Sequence, residues 1–300
     1  MDGFINFLKP PGMTSHDAVG FVRKKLKIKK VGHTGTLDPG VAGVLPICVG
    51  RATRLAEYIT VRPKSYRAEI TLGIATDSQD AYGSIMSKND CSGIPYEKFE
   101  EIISDFIGDI KQIPPMTSAV RVGGERLYNL ARKGIEIERA PKNVTIHRID
   151  IIKKDWEMPN PKVIFDVLCS KGTYIRTLCH DIGARLGVGA YLSFLIRTQT
   201  GSFNIHHAWT IEEICSSIER DNGDFLLPIH EGICFIPAIT IDDEQSKNLL
   251  HGKTIIMPEK GYCDNQIYQI KNTNNVFLAV GQVITEDEGI SLFKPDKVFG

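Results

Sequence analysis

A chain of 300 residues with 42% hydrophobic content can bury one large core, or a large one and a small one, and no apolar run in it approaches the length of a bilayer span. Residues 1–7 lack the basic-then-apolar pattern of a secretory leader, and the seven cysteines (Cys48, Cys91, Cys169, Cys179, Cys215, Cys234, Cys263) are odd in number, scattered and never spaced C-x-x-C; the expectation is a cytoplasmic protein with buried, hydrophobe-like cysteines and neither a disulfide framework nor a zinc ribbon. The formal net charge of zero conceals a segregation: residues 1–67 carry 12 Lys and Arg against 4 Asp and Glu and residues 111–148 carry 8 against 3, while residues 68–110 (2 against 9) and 201–300 (7 against 15) are acidic, so two basic stretches can face a polyanion on a neutral protein.

In chain order, a helix is predicted from the Thr14-Ser15 caps into the lysine cluster at residues 24–30, with Ala18, Val19, Val22 and Leu26 facing inward. The cluster reads either as a nucleic-acid footprint or as the solvated end of that helix. Ala52, Leu55, Ala56 and Ile59 at i, i+3, i+4 and i+7 predict a second helix, and Tyr66, Ala68, Ile70 and Leu72, alternating with Arg67, Glu69 and Thr71, a strand. Phe99, Ile102, Ile103 and Phe106 predict another helix. Between residues 114 and 142 lies a basic segment with the breakers Pro114-Pro115 and Gly123-Gly124 around a short helical stretch, residues 127–133, ended by Gly134. It reads as an insertion that closes over a ligand or as a long surface loop. Val163, Phe165, Val167 and Cys169 predict a strand buried on both faces, and Ile175, Leu178, Cys179 and Ile182 a further helix. From about Phe235 the texture changes to short β-like runs, with one helix near residues 242–250. With no repeat or low-complexity tract, the expected architecture is an α/β (α+β) domain over residues 1–234 and a small, mostly β domain over residues 235–300.

The chemistry concentrates in residues 31–46. Gly32, Gly35, Gly40, His33, Thr34, Thr36 and Asp38-Pro39 make a tightly turning loop whose polar groups continue neither helix nor strand. Pro39 holds Asp38 out of the α region, and Gly40 lets the chain turn beyond it. Asp38 then either presents a carboxylate or closes an Asx-turn, and His33 either lines a site or bonds within the loop. The segment is neither of the regular phosphate-cradling glycine motifs.

Five ordered motifs carry a resemblance. The stretch Gly32-His33-Thr34-Gly35-Thr36-Leu37-Asp38-Pro39 with Gly43-Val44-Leu45-Pro46 closely resembles the signature of the TruB family of tRNA pseudouridine synthases. Lys9-Pro10-Pro11-Gly12-Met13-Thr14-Ser15 is similar to the family's K-P-x-G-x-T-S element, and Lys64-Ser65-Tyr66 to its K-x-Y motif. Pro114-Pro115-Met116-Thr117-Ser118-Ala119 is similar to P-P-M-Y-S-A, and the nine residues from Cys169 to Thr177 to C-S-K-G-T-Y-I-R-T. The resemblance implies a mixed-sheet pseudouridine synthase domain with an RNA-gripping insertion at about residues 114–142, plus a PUA-like RNA-binding domain after residue 234. It further implies Asp38 as the catalytic aspartate, Tyr66 as the aromatic stacked on the target base and Arg176 as the cation paired with Asp38. His33, Tyr174 and Leu195 match further positions lining the substrate site. The implied substrate is the T arm of tRNA, acted on by a monomer with no cofactor, metal or membrane. Thr117 departs from the family's usual Tyr.

The implied reaction suits those residues. Converting uridine to pseudouridine breaks a C–N glycosidic bond and makes a C–C bond without redox change, so one carboxylate can suffice. Asp38 can add to the base or the ribose, or assist loss of a ribose proton; the sequence leaves these routes open. Rival readings are an RNA-binding relative without catalysis, a synthase for another RNA, and a metal-dependent hydrolase, the last lacking any cluster with metal-ligand spacing.

Overall fold

The structure, a computed structural model, describes residues 1–118, 120–257, 261–286 and 290–300. Ala119, the last residue of the fourth motif, lies outside the described residues. The first helix, α1 (Ser15–Leu26), forms where its caps predict: the Thr14 hydroxyl accepts the Asp17 N–H and the Asp17 carboxylate accepts the Thr14 N–H, a closed capping box. Such a cap stabilises a helix by about 1 kcal/mol. Ala18, Val19 and Val22 are buried, and the chain leaves the helix at Lys27 in the left-handed region.

Nine strands of the described residues make one mixed sheet. They are β1 (Gly3–Lys9), β2 (Val31–His33), β3 (Ala42–Val49), β4 (Lys64–Leu72), β5 (Gly108–Gln112), β6 (Lys142–Asp155), β7 (Lys162–Cys169), β8 (Ala190–Thr200) and β9 (Phe203–Asn204). The order is β1-β3-β8-β4-β7-β6-β5, with β2 on β3 and β9 on β8. Strand β8 lies between β3 and β4. It pairs in parallel with β3, Arg197 opposite Gly43, and antiparallel with β4, Arg197 opposite Tyr66. This placement brings the loop that precedes β3, the Tyr66 position and the end of β8 to one point.

Helices α2 (Tyr96–Ser104) and α3 (Ile175–Leu186) cover one face of the sheet, burying Phe99, Ile102 and Ile103 and Ile175, Leu178, Cys179 and Ile182 in the same core as Ala68, Ile70 and Phe165. Phe106 packs on that core from just beyond its helix. Residues 52–59 bury Ala52, Leu55 and Ile59 as their spacing predicts, but as a 3-10 turn (Gly50–Leu55) running into a single α turn (Ala56–Thr60). On β7 the second face, Ile164, Asp166 and Leu168, is half-buried rather than fully buried.

After α4 (Ile211–Glu219), the tail forms a five-stranded sheet: β10 (Ala238–Ile241), β11 (Ile255–Ile256), β12 (Ile267–Asn272), β13 (Phe277–Thr285) and β14 (Ser291–Val298), with α5 (Asp243–Leu250) against it. Its inner residues Val280 and Phe299 join Phe4, Val44, Cys48, Ala52 and Leu55 in one buried cluster, so the tail is welded to the back of β1 and β3. Cys48, Cys91, Cys169 and Cys179 are buried as expected; Cys234 and Cys263 are exposed, which corrects that expectation for two of the seven. No helix among the described residues is long and apolar enough to cross a membrane.

Candidate active site

The loop before β3 is fastened from three sides. Ser15, buried at the start of α1, accepts the Leu37 N–H (2.9 Å) and donates to the Leu37 carbonyl (3.2 Å). The Gly12 N–H (2.8 Å) and the Lys9 ammonium (3.3 Å) both donate to the Pro39 carbonyl. The Lys9-to-Ser15 motif is thus the clamp of the Asp38 loop. The turn itself is closed by backbone, Val41 N–H to Asp38 carbonyl at 3.0 Å, and no backbone N–H among the described residues bonds the Asp38 carboxylate. The Asx-turn alternative therefore does not hold. Gly40, in that turn, does not take a left-handed conformation, and the Tyr82 ring packs on it.

The Asp38 carboxylate, half-exposed, meets Arg176 Nη2 at 3.0 Å. Arg176 stands in the first turn of α3 and is buried, 5% exposed, although helix periodicity alone would turn it to solvent. Its guanidinium also reaches Asp80 (3.5 Å), the Ser78 carbonyl (3.3 Å), the Thr117 carbonyl (3.1 Å) and the Thr117 hydroxyl. Arg176 therefore ties together the Asp38 loop, the turn carrying Asp80 and the basic segment 114–142. Asp80 carries no motif signal in the sequence; it enters because the hairpin Ile74–Thr76/Ile85–Lys88 folds its turn over Arg176. Thr117, the departure from the family pattern, is an acceptor for Arg176. Within the segment, residues 121–126 form a two-stranded hairpin, followed by a short helix, Leu127–Arg132.

Asp38 and Arg176 stand on the wall of a cavity of about 260 Å3 that is also lined by Tyr66, Tyr174, Leu195, Ser118 and Lys171. On the other side of the pair opens a second, more apolar cavity of about 660 Å3 bounded by Pro11, Tyr82, Phe194 and Leu195. Tyr66 is buried on the pocket floor, where burial pushes its phenol up and the adjacent Arg197 opposes that. Tyr174 is the cap residue just before α3, held by its backbone N–H to Gln112 (3.0 Å), with its phenol likewise raised by burial. Five of the six residues singled out from the sequence thus line one cavity. His33 is not among the lining residues; on β2 its Nδ1 accepts the Gly35 N–H at 3.3 Å, and burial lowers the imidazole's proton affinity.

Beneath the loop lie three buried cations without an ion-pair partner among the described residues: Lys9, Lys64 and Arg197. Backbone carbonyls receive them. Lys9 Nζ bonds those of Pro10 (2.9 Å) and Met13 (2.7 Å), and Lys64 Nζ those of Thr60 (2.9 Å) and Arg62 (2.8 Å). Burial pushes each ammonium down to about 8. The consequence for stability has a definite sign. Between about pH 8 and the usual lysine value of 10.5, the unfolded chain holds a proton at Lys64 that the folded chain does not. Lys64 therefore favours folding increasingly as pH rises through that window, and the gain is lost as pH falls through about 8. The melting temperature of the wild type relative to Lys64→Met is expected to rise from about pH 7 to about pH 9.5. A flat or falling difference would mean that Lys64 stays charged when folded.

Comparison with known proteins accords with this geometry. The profile of the TruB family pseudouridylate synthase N-terminal domain matches residues 23–175, and that of the tRNA pseudouridylate synthase B C-terminal domain matches residues 176–230. A tRNA pseudouridine synthase B of Moorella thermoacetica is 44% identical over 99% of this chain and 98% of its own length, and one of Symbiobacterium thermophilum 53% identical over 84% of this chain and 82% of its own. Among solved structures, a chain from an H/ACA RNP bound to a substrate RNA containing 2'-deoxyuridine superposes with a TM-score of 0.75 at 26% identity, covering 99% of this chain and 85% of that one. A chain of a Cbf5-Nop10-Gar1 complex does so at 0.75 and 27%, with the same coverage. On the profile match over more than half its length and the identity to full-length relatives, the chain belongs to the TruB family of pseudouridylate synthases.

Proposed function

We propose that this protein isomerises the T-loop uridine of tRNA to pseudouridine, with Asp38 as the catalytic carboxylate. The observation that carries the reading is the ion pair of Asp38 with buried Arg176 on the wall of a cavity floored by Tyr66, a space suited to one extruded pyrimidine. Arg176 fixes the carboxylate's orientation. Tyr66 stacks on the uracil, Tyr174 and Leu195 bound it, and His33 holds the entry of the loop. Extruding a base from a folded T arm costs a few kcal/mol, which phosphate contacts to basic surface offset. The reaction is redox-neutral and is proposed to need no cofactor or metal. Residues 1–234 are read as the catalytic unit with its RNA-gripping segment at 114–142, and residues 235–300 as a PUA-like RNA-binding unit, in a cytoplasmic monomer.

The test uses purified protein, without added metal or nucleotide, and an unmodified tRNA transcript. One T-loop uridine is expected to become pseudouridine; an active site that leaves the T loop untouched but modifies another RNA would redirect the reading. The exposed Lys24, Lys25, Lys27, Lys29 and Lys30 at the end of α1 are read as part of the RNA footprint. The Lys29→Ala/Lys30→Ala protein is expected to bind tRNA more weakly and with a salt slope shallower by about 1 to 2. Unchanged affinity and slope in a salt titration would remove these two lysines from the footprint.

A further inference from the structure

Arg197 lies in the middle of the catalytic fold with no acidic partner. It is 1% exposed, and no carboxylate among the described residues pairs with it. Its side chain instead spends its donors on both ends of the Asp38 loop. Nε donates to the Val44 carbonyl at 2.7 Å, on the strand leaving the loop, and Nη1 and Nη2 donate to the carbonyls of Thr36 (3.4 Å) and Gly35 (3.2 Å), in the loop itself just after β2. Tyr66, on β4, is the direct cross-strand neighbour of Arg197. The backbone is fitted as closely. Gly43 faces Arg197 in the parallel β3–β8 pairing at φ +122, and a Cβ there would stand 2.3 Å from the Arg197 carbonyl oxygen.

We propose that Arg197 is a positioning residue of the isomerisation, setting the Asp38 loop in a fixed relation to the Tyr66 ring paired beside it. The inference rests on the pseudouridylation reading above. Its physical basis is that one rigid, planar group bonds the start of the loop and the strand leaving it together. The strand that carries this group pairs directly with Tyr66, so the same residue relates the carboxylate that starts the reaction to the ring that faces the base. Permanent charge matters at this position, since the two buried lysines beside it discharge near pH 8, whereas a guanidinium keeps its proton. The burial of an unpaired cation is an expense that stability alone does not call for.

The experiment is a double-mutant cycle on the full-length protein: wild type, Arg197→Met, Arg197→Lys, Tyr66→Phe and the two combinations. Single-turnover pseudouridine formation at saturating enzyme and equilibrium tRNA binding are read side by side. Arg197→Met is expected to slow the single-turnover step about 100-fold, the scale of a misplaced reacting group, while affinity stays within about threefold. Arg197→Lys keeps a charge without the fork and is expected to lose about tenfold. Combined with Tyr66→Phe, either substitution is expected to cost less than it does alone, because the two side chains are direct cross-strand neighbours in one site. A folded Arg197→Met protein at the wild-type rate overturns the proposal, and so do losses that simply multiply in the double variant or that appear only in binding. If Arg197→Met does not fold, the Arg197→Lys cycle decides by the same criteria. A wild type that forms no pseudouridine would instead remove the functional reading itself.

Discussion

Asp38→Asn is expected to bind tRNA within about threefold of the wild-type affinity, well under 1 kcal/mol, and to form no detectable pseudouridine. The substitution leaves the loop's fastenings in place, since Ser15, Gly12 and Lys9 all hold backbone atoms of Leu37 and Pro39 and the 38–41 turn is closed by the Asp38 carbonyl, not its side chain. Asn also keeps an oxygen for Arg176 to bond. What disappears is the negative charge, and with it the capacity to attack the base or ribose or to take a proton from it. An amide there weakens the contact to Arg176 from charge-assisted to ordinary, which the two Thr117 acceptors and Asp80 partly compensate. The measurement is single-turnover conversion at saturating enzyme with a binding assay and a melting curve alongside. A variant that folds, binds and converts uridine at nearly the wild-type rate would end the assignment of Asp38. A variant that loses binding in step with activity would make Asp38 a substrate contact instead.

What the sequence made legible is local. Period and caps place α1, α2, α3, β4 and β7 because each buries one stripe or face against a single core, and that pattern is written along the segment itself. The Asp38 loop stands out for the same reason, being dense in residues that break both periods. The rest depends on what packs beside what. Arg176 reads as a solvent-facing helix residue until Thr117 of the basic segment and the Asp80 turn close over it. Asp80 itself sits in an acidic stretch with nothing to distinguish it from Asp77. Arg197 is one cation in a strand of ordinary texture, and its importance comes from β8 lying between β3 and β4, a crossover no local pattern encodes. Lys9 and Lys64 were visible as motif members, but not as buried charges held by carbonyls. Gly40 stands in the 38–41 turn as its place in the loop implies; that the Tyr82 ring of a distant hairpin also packs against it was not written in the sequence. The tail was legible as β texture; that Val280 and Phe299 share a core with Phe4 and Val44 was not.

Arg176→Met is expected to cost both catalysis and stability, and the two costs separate. Met fills most of the volume but removes every donor that now joins Asp38, Asp80, Ser78 and Thr117. Asp38, half-exposed, can turn to water; the Asp80 side chain, 17% exposed, is left partly buried beside an apolar chain, retaining only the Ser78 hydroxyl and the Tyr82 N–H. Leaving a partly buried charge without its cation destabilises by about 1–3 kcal/mol. The single-turnover rate is expected to fall at least about 1000-fold, because the carboxylate loses the cation that holds its orientation and the site loses a preorganised charge. Arg176→Lys keeps a point charge without the paired donors and is expected to fall between. Adding Asp80→Asn to Arg176→Met removes the stranded charge, so the double variant recovers part of the lost stability in urea unfolding while its rate stays at the single variant's level. If the rate returned together with the stability, Arg176 would be a scaffold residue and the geometry of Asp38 would rest on the loop fastenings alone. If Arg176→Met kept its rate within about tenfold of wild type, the ion pair would have no part in the reaction.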